Sequence, residues 1–270
     1  MTPPVQLGPA IALELAVKAS RAAGAHQMAH FGQVLEIHTK SNANDLVTQV
    51  DTACDAMIRA MLTEGAPGVS LLTEETYTEG DAMAVDHAWI VDPLDGTNNY
   101  AHAFPHFAVS IAYVVQGQVQ AGVVFDPFKN ELFTALRGHG ARLNDRPLRV
   151  TGCTALPEAI LATGFPYDTG TNPDNNLTEF VALRRQIRGV RRVGAAALDL
   201  AYTAAGRLDG FWELRLSSWD VAAGLLLVQE AGGVVSDYAG QPIDLSQRRI
   251  NILAAATPAL GEAIADVLNA

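Results

Sequence analysis

The stretch Trp89-Ile90-Val91-Asp92-Pro93-Leu94-Asp95-Gly96-Thr97 constrains this fold more than any other. Apolar residues up to Val91 predict a buried strand. Pro93 and Gly96 then stop it, since proline has no N–H to give a ladder and glycine tolerates a tight turn. Asp92 and Asp95 are thereby held three residues apart on an elbow at the strand end, with Thr97 at what reads as a helix start. Hard oxygen ligands on a rigid turn, beside backbone N–H groups able to face an anion, suit a magnesium–phosphate site. Asp-Pro and Asp-Gly also form ordinary turns, so the meaning of the elbow depends on partners elsewhere in the chain.

Around the elbow the apolar pattern changes period. Residues 9–30 read as a helix with Ile11, Leu15, Ala19 and Ala22 at helical spacing, opposite Glu14, Lys18 and Arg21. Residues 51–64 read as a second, with Cys54, Met57, Ile58, Met61 and Leu62 on one face and Thr48 to Asp51 as its start. Segments 69–72, 88–92, 107–115, 119–125 and 131–135 read as strands, with hairpins at Gln116-Gly117 and Asn144-Asp145. This half predicts two helices against an antiparallel sheet. The second half alternates strands 159–163, 189–193, 209–213, 233–237 and 250–255 with helices 175–187, 195–205, 219–231 and 258–268. Gly232-Gly233 serves as a helix stop. Such alternation predicts helices covering a mixed sheet. A boundary is expected near residue 150, giving halves 1–150 and 151–270. No Pro/Gly/Ser-rich linker marks it, so the halves are expected to pack tightly.

The 270 residues are 49% hydrophobic and 17% charged, a composition for a packed globular fold rather than a disordered chain. No apolar run reaches the ~18–20 residues of a membrane helix, and the first residues lack the pattern of a signal peptide. Cys54 and Cys153 lie far apart and are expected to be free thiols in a reducing cytoplasm. The net charge of −11 argues against direct nucleic-acid binding, which needs a basic face. It also means that an anionic substrate requires the site to carry its own cations.

Further acids stand where they can join the elbow. Glu74-Glu75 follows the strand 69–72, Asp220 follows Ser217-Ser218-Trp219 at a helix start, and Asp51 opens the helix 51–64. Taken singly, Asp51 and Asp220 are ordinary helix-start residues and Glu74-Glu75 a solvated turn. Taken together, acids at strand ends and helix starts can converge on one point of a layered fold, where their charge requires cations.

These blocks resemble the inositol monophosphatase family. Trp89 to Tyr100 is similar to its first signature, and Trp219-Asp220-Val221-Ala222-Ala223-Gly224 with Glu230-Ala231-Gly232-Gly233 is similar to its second. Asp45 to Asp51, Glu74-Glu75 and Gly194 to Ala201 match the other blocks in order, and Ala162 to Pro166 resembles bacterial inositol-1-monophosphatases. The likeness runs from about Lys40 to Gly233. It implies a layered αβαβα sandwich, α+β or α/β in class, of the inositol monophosphatase and fructose-1,6-bisphosphatase type.

The resemblance also implies an Mg²⁺-dependent phosphate monoester hydrolase acting on inositol monophosphate by in-line attack of a metal-activated water. Glu74, Asp92 and the Leu94 carbonyl match ligands of one ion, and Asp92, Asp95 and Asp220 those of a second; a third is often present near Glu74. Glu74 and the Thr97–Asp51 pair match the groups that aim and deprotonate the water. Gly96 and Thr97 match the phosphate-binding N–H groups, and Gly194, Ala195, Ala196 and Glu213, with Asp95 and Asp220, match substrate contacts. Glu213 also reads as a plain strand-end acid, and Lys40, which matches a lysine near the metal site, as an exposed loop lysine. Thr73 and Ala195 depart from the usual glycine and small hydroxyl residue. His102 and His106 read as packing or surface residues, and Arg191-Arg192 as a subunit contact in a homodimer. A small phosphorylated polyol or sugar is the implied partner, with lithium sensitivity and a cytoplasmic setting. Same-fold phosphatases for fructose-1,6-bisphosphate, histidinol phosphate or a nucleotide 3′-phosphate share the metal residues and stay open, as does a non-catalytic role with the transcription machinery.

Overall fold

In the computed structural model, residues 7–33, 37–39, 46–78 and 85–270 are described; Lys40 and Asp45 lie outside them. Helix α1 (Pro9–His30) starts on a proline, whose missing N–H has no partner to lose in a first turn. It buries Ala12, Ala16, Ala19 and Ala23 against α2 (Gln49–Gly65). Strands β1 (Ile37–Thr39) and β2 (Leu46–Thr48) form an antiparallel pair that the sequence did not lead us to expect. Helix α2 begins two residues before its predicted start, because Thr48 and Asp51 form a reciprocal capping box.

Among the described residues the next strands form one sheet in chain order: β3 (Ser70–Thr73), β4 (His87–Asp95), β5 (Ala108–Val115), β6 (Gln118–Asp126), β7 (Glu131–Leu136), β8 (Ala141–Leu143) and β9 (Arg146–Pro147). The sheet is not wholly antiparallel as predicted, since β3 runs parallel to β4. The elbow is followed by a single helical turn, α3 (Thr97–Ala101).

Beyond residue 150 come β10 (Ile160–Thr163), α4 (Leu177–Arg184), β11 (Gly189–Arg191), α5 (Ala196–Ala204), β12 (Gly210–Leu216), α6 (Ser218–Glu230), β13 (Val234–Ser236), β14 (Ile250–Ala255) and α7 (Pro258–Leu268). Their sheet has the order β11-β10-β12-β14-β13. It is mixed: β10 pairs in parallel with β11 and β12, whereas β14 pairs antiparallel with β12 and β13. Helix α4 starts two residues later than predicted because Asn176 before it adopts φ +67°, outside helical geometry, and it ends at Arg184 rather than 187.

Alternation along β5 shows how the layers stack. Val109, Ile111 and Tyr113 face a core with α1 and α2, while Ala108, Ala112 and Val114 face a second core built on α5 and α6. Both faces are covered, so the strand reads as a continuous apolar run. A third core places Leu183 of α4 and Leu260 and Ile264 of α7 against Trp212 of β12 and Leu253 of β14. The order is therefore helix, sheet, helix, sheet, helix, the predicted αβαβα sandwich. Each fully buried large apolar side chain in these cores contributes roughly 1.5–3 kcal/mol. The middle layer is rich in small residues, and its helices touch closely: a Cβ on Gly224 of α6 would lie 2.6 Å from the Leu200 Cβ of α5. No helix among the described residues is long and apolar enough to cross a membrane.

Candidate active site

The elbow is a β-bulge. Strand β4 pairs Asp92 with Ser110 and Asp95 with Ala108, three residues against two. The extra residue reverses the alternation, so Asp92 and Asp95, which a regular strand would send to opposite faces, project to the same one. That face is the central layer, since Ala108 packs in its core and the Ser110 hydroxyl donates to the Trp219 carbonyl at 3.3 Å. Pro93 sits in the bulge, where no ladder N–H is required. Its carbonyl accepts from Gln27 Nε2 of α1 at 2.8 Å, and Tyr100 Oη donates to the Gln27 carbonyl at 2.6 Å, which ties the elbow to the outer helix. Gly96 turns the chain at φ +90°, where a Cβ would come within 3.0 Å of the His106 carbonyl.

Helices α5 and α6 begin beside this bulge. The Ala197 N–H donates to Asp95 Oδ2 at 2.9 Å, so the carboxylate takes up an orphan donor of the first turn of α5. Asp220, third residue of α6, accepts from Ser217 N–H at 2.7 Å and leaves the rest of its carboxylate open to the cavity. Glu74 reaches the same place because β3 is in parallel register with β4, and the Glu74 N–H extends the ladder to the Val91 carbonyl at 3.1 Å. Asp51 is 1% exposed; its Oδ2 accepts from Thr48 N–H at 2.9 Å, and its Oδ1 accepts from Thr97 Oγ1 at 2.9 Å. The single Thr97 hydroxyl proton also faces the Leu94 carbonyl at 3.0 Å.

Asp92, Asp95, Glu74, Thr97 and Asp220 line one open cavity of about 560 Å³ together with Gly194, Ala195, Ala196, Glu213 and Arg192. Asn99 ties α3 to the segment before α5: its Nδ2 donates to the His106 carbonyl at 2.8 Å and to that of Val193 at 2.9 Å. The Glu213 carboxylate packs on Gly164, where any Cβ would collide with both oxygens.

The charges of these acids are mutually unfavourable. Burial, then repulsion from Glu74, Asp95 and Asp220, lifts the Asp92 carboxyl well above its ordinary value. Burial raises Asp95 to about 7 against the pull of the Ala197 N–H, and burial with Glu74 raises Asp220 well above the carboxylate range. Glu213 is pushed up to about 8 by burial, with Arg192 opposing. Hard oxygen donors that cannot all ionise together fit divalent cations such as Mg²⁺. Among the described residues, no three acidic, His or Cys side chains stand close enough to hold an ion as placed. Like-charged carboxylates repel, and a cation is what would draw them together.

Glu74, Asp92, Leu94, Asp95, Gly96, Thr97 and Asp220 thus share the cavity with Gly194–Ala196 and Glu213, as the sequence led us to expect, with Asp51 directly beneath Thr97. Asn99 and Arg192 were not expected there, nor was Gln27 expected to brace the elbow from α1. Gln27 had a signal, a polar residue on the apolar face of α1; Asn99 and Arg192 act through contacts distant in sequence. Arg191 is exposed on the edge strand β11, whereas Arg192 lies at the cavity. His102 is exposed, and His106 is 5% exposed and packs against Tyr202.

Burial, with Lys129 adding, lowers His106 to about 4. A folded value below the unfolded value gives stability that is complete above about pH 6.5 and lost as pH falls through 4, up to roughly 3 kcal/mol. His106→Phe is therefore expected to remove that part of the acid limb in a melting-temperature profile against pH. A difference between the two proteins that stays constant from pH 7 to 4 would contradict it.

The sequence profile of the inositol monophosphatase family matches residues 11–270. The chain is 48% identical to a Nus factor SuhB of Pseudomonas aeruginosa over 233 residues, covering 84% of this chain and 86% of that one. It is 45% identical to an inositol-1-monophosphatase of Synechocystis over 240 residues, 88% and 83% of the two chains. The solved inositol monophosphatase of Anabaena superposes with a TM-score of 0.84 at 40% identity, covering 95% of this chain and 94% of that one. Fold, acid-lined cavity and relatives together define a phosphoric monoester hydrolase. The chain belongs to the inositol monophosphatase family.

Proposed function

We propose that this chain hydrolyses inositol monophosphate with Mg²⁺ by in-line attack of water on phosphorus. The observation that carries the reading is the convergence of Asp92, Asp95, Asp220 and Glu74 on one cavity with a buried Thr97–Asp51 pair beneath it. Glu74, Asp92, the Leu94 carbonyl, Asp95 and Asp220 would hold two or three ions. Bound Mg²⁺ supplies water activation near neutral pH and neutralises charge on the transferring phosphoryl group.

The remaining work falls to the chain. Asp51, fixed by Thr48, accepts the Thr97 proton, which orients the Thr97 oxygen to take a proton from the attacking water; Glu74 aims the same water from the end of the neighbouring strand β3. The first N–H groups of a helix lack intrahelical acceptors, so those at Gly96 and Thr97 can bind phosphate oxygens. Asp95 holds the start of α5 against the elbow and so places Gly194, Ala195 and Ala196 beside the ester. Glu213 takes hydroxyls of the alcohol from the opposite side, and Asp220 orients the group that protonates the leaving oxygen.

The test is phosphate release from inositol 1-phosphate, fructose-1,6-bisphosphate, histidinol phosphate and a nucleotide 3′-phosphate, with Mg²⁺ and with or without Li⁺. Preferred, Li⁺-sensitive turnover of the inositol ester is expected; no Mg²⁺-dependent release from any ester would sink the reading. Glu213→Gln is expected to change the ranking of these esters more than the rate on the best one. An unchanged ranking would remove Glu213 from the alcohol pocket.

The identity to a Nus factor SuhB supports a second, non-catalytic role with the transcription machinery. An Asp92→Asn protein that is catalytically dead yet still binds that machinery would separate the two roles. A homodimer and a cytoplasmic setting are part of the same proposal, the latter supported by the unpaired Cys54 and Cys153.

A further inference from the structure

A second β-bulge shapes the cavity between Glu213 and the start of α6. Strand β12 pairs Glu213 with Ile252 and Leu216 with Ile250, again three residues against two. Arg215 occupies the extra position at φ +64°, a backbone that glycine adopts freely and a long side chain rarely does. Its N–H donates to Asn251 Oδ1 at 2.9 Å, which holds the bulge against β14. A non-glycine residue held in that conformation persists where the surrounding structure over-determines it.

The Arg215 side chain engages the loop 164–176 that connects β10 to α4. Arg215 Nη1 and Nη2 donate to Asp168 Oδ1 and Oδ2 at 2.7 and 2.9 Å, a two-pronged pair, and Nη1 lies 3.3 Å from the Asp174 carbonyl. The Arg215 side chain is 10% exposed. Its guanidinium is thus spent on the loop, not offered to a ligand anion, although the residue lines the cavity. The loop supplies Phe165 and Tyr167 to the same cavity, and Tyr167 is half-exposed there. An aromatic face at the mouth of a polar cavity packs well against the C–H face of a ring.

We propose that the Arg215–Asp168 clamp is a specificity device: it fixes the loop 164–176 as the wall that receives the alcohol of the phosphate ester, and selects a ring-shaped polyol over a short open chain. The proposal rests on the phosphatase reading above and adds the shape of the alcohol. Arg215 is a positioning residue, because it acts through the loop and Tyr167.

Arg215→Gly tests it with little risk to the fold, since glycine suits the backbone. Asp168→Asn breaks the pair from the other side. For both variants, KM for inositol 1-phosphate is expected to rise about tenfold, and KM for glycerol 2-phosphate less than twofold. On both esters kcat is expected to stay within about twofold. The double variant should be no worse than the worse single one, because one interaction is lost in each case. Arg215→Lys, which keeps charge but not the fork, should recover only part of the KM. Hydrogen exchange of the 164–176 amides should quicken in Arg215→Gly. Exchange is read without substrate, so it judges the clamp even if the native chain releases phosphate from neither ester, a result that would count against the phosphatase reading alone. Unchanged KM ratios, additive single effects or unchanged exchange would overturn the clamp.

Discussion

Asp92→Asn is expected to cut kcat by at least ~10³-fold while making the metal-free protein more stable near pH 8. The first part follows from the charge the site must neutralise: several kcal/mol of transition-state stabilisation correspond to about this factor in rate. The second follows from repulsion. Asp92 is 2% exposed and faces Glu74, Asp95 and Asp220. Asparagine keeps the oxygen that accepts from the Leu94 N–H at 2.9 Å, so the bulge survives while one charge is lost. The pH sign is definite. Acids with folded values above their unfolded ones bind protons on folding, so their stability is present at low pH and lost as pH rises. For Asp95 the window runs from 3.8 to about 7. In EDTA the native chain should therefore melt lower at pH 8 than at pH 5, and Asp92→Asn should narrow that gap. Phosphate-release kinetics beside calorimetry in EDTA check both parts. Retained turnover would refute Asp92 as a metal ligand, and an Asp92→Asn protein that melts below the native chain at pH 8 would refute the repulsion.

Thr97→Val is expected to lower kcat about 10²–10³-fold with KM changed less than threefold, in the range of positioned proton transfer. Valine fills the same volume but removes the hydroxyl that links Asp51 Oδ1 to the Leu94 carbonyl. Both acceptors are then buried with one partner fewer, a cost of about 1–3 kcal/mol in stability. Thr97→Ser keeps the hydroxyl and should keep most of the activity. If Thr97→Val and Thr97→Ser lose activity equally, the methyl group and not the proton path is what matters. Asp51→Asn should not add its full effect to Thr97→Val, because the two residues form one hydrogen-bonded unit.

Much of the site was legible because its residues carry their signals locally. Asp51 and Asp220 each sit three residues after a hydroxyl residue, Thr48 and Ser217, the spacing of a capping box, and both boxes form. Period-2 and helical spacing located the long elements, since burial of one face imposes the period. Where the pattern was short or two-sided, it failed. The three-residue strands β1 and β2 bury little, and nothing in the periodicity of 69–72 distinguishes a parallel from an antiparallel neighbour for β3. The 175–187 helix was overextended at its start because Asn176 takes a left-handed backbone to serve Thr163, Gly164 and Trp212 with its buried amide.

The chain by itself determined which residues are acids, that Asp92 and Asp95 stand at the end of a buried strand, and that proline and glycine interrupt it there. Apolar period and turn chemistry are local, so they can be read without the fold. Only the tertiary structure decided that the interruption is a bulge rather than a turn, because a bulge is defined by the register with β5. That one extra residue sets both carboxylates on the face where α5 and α6 begin and brings Glu74 alongside through parallel pairing. The loop held by Arg215, which grips Asp168 across 47 residues, depends on a second register shift that no local pattern encodes.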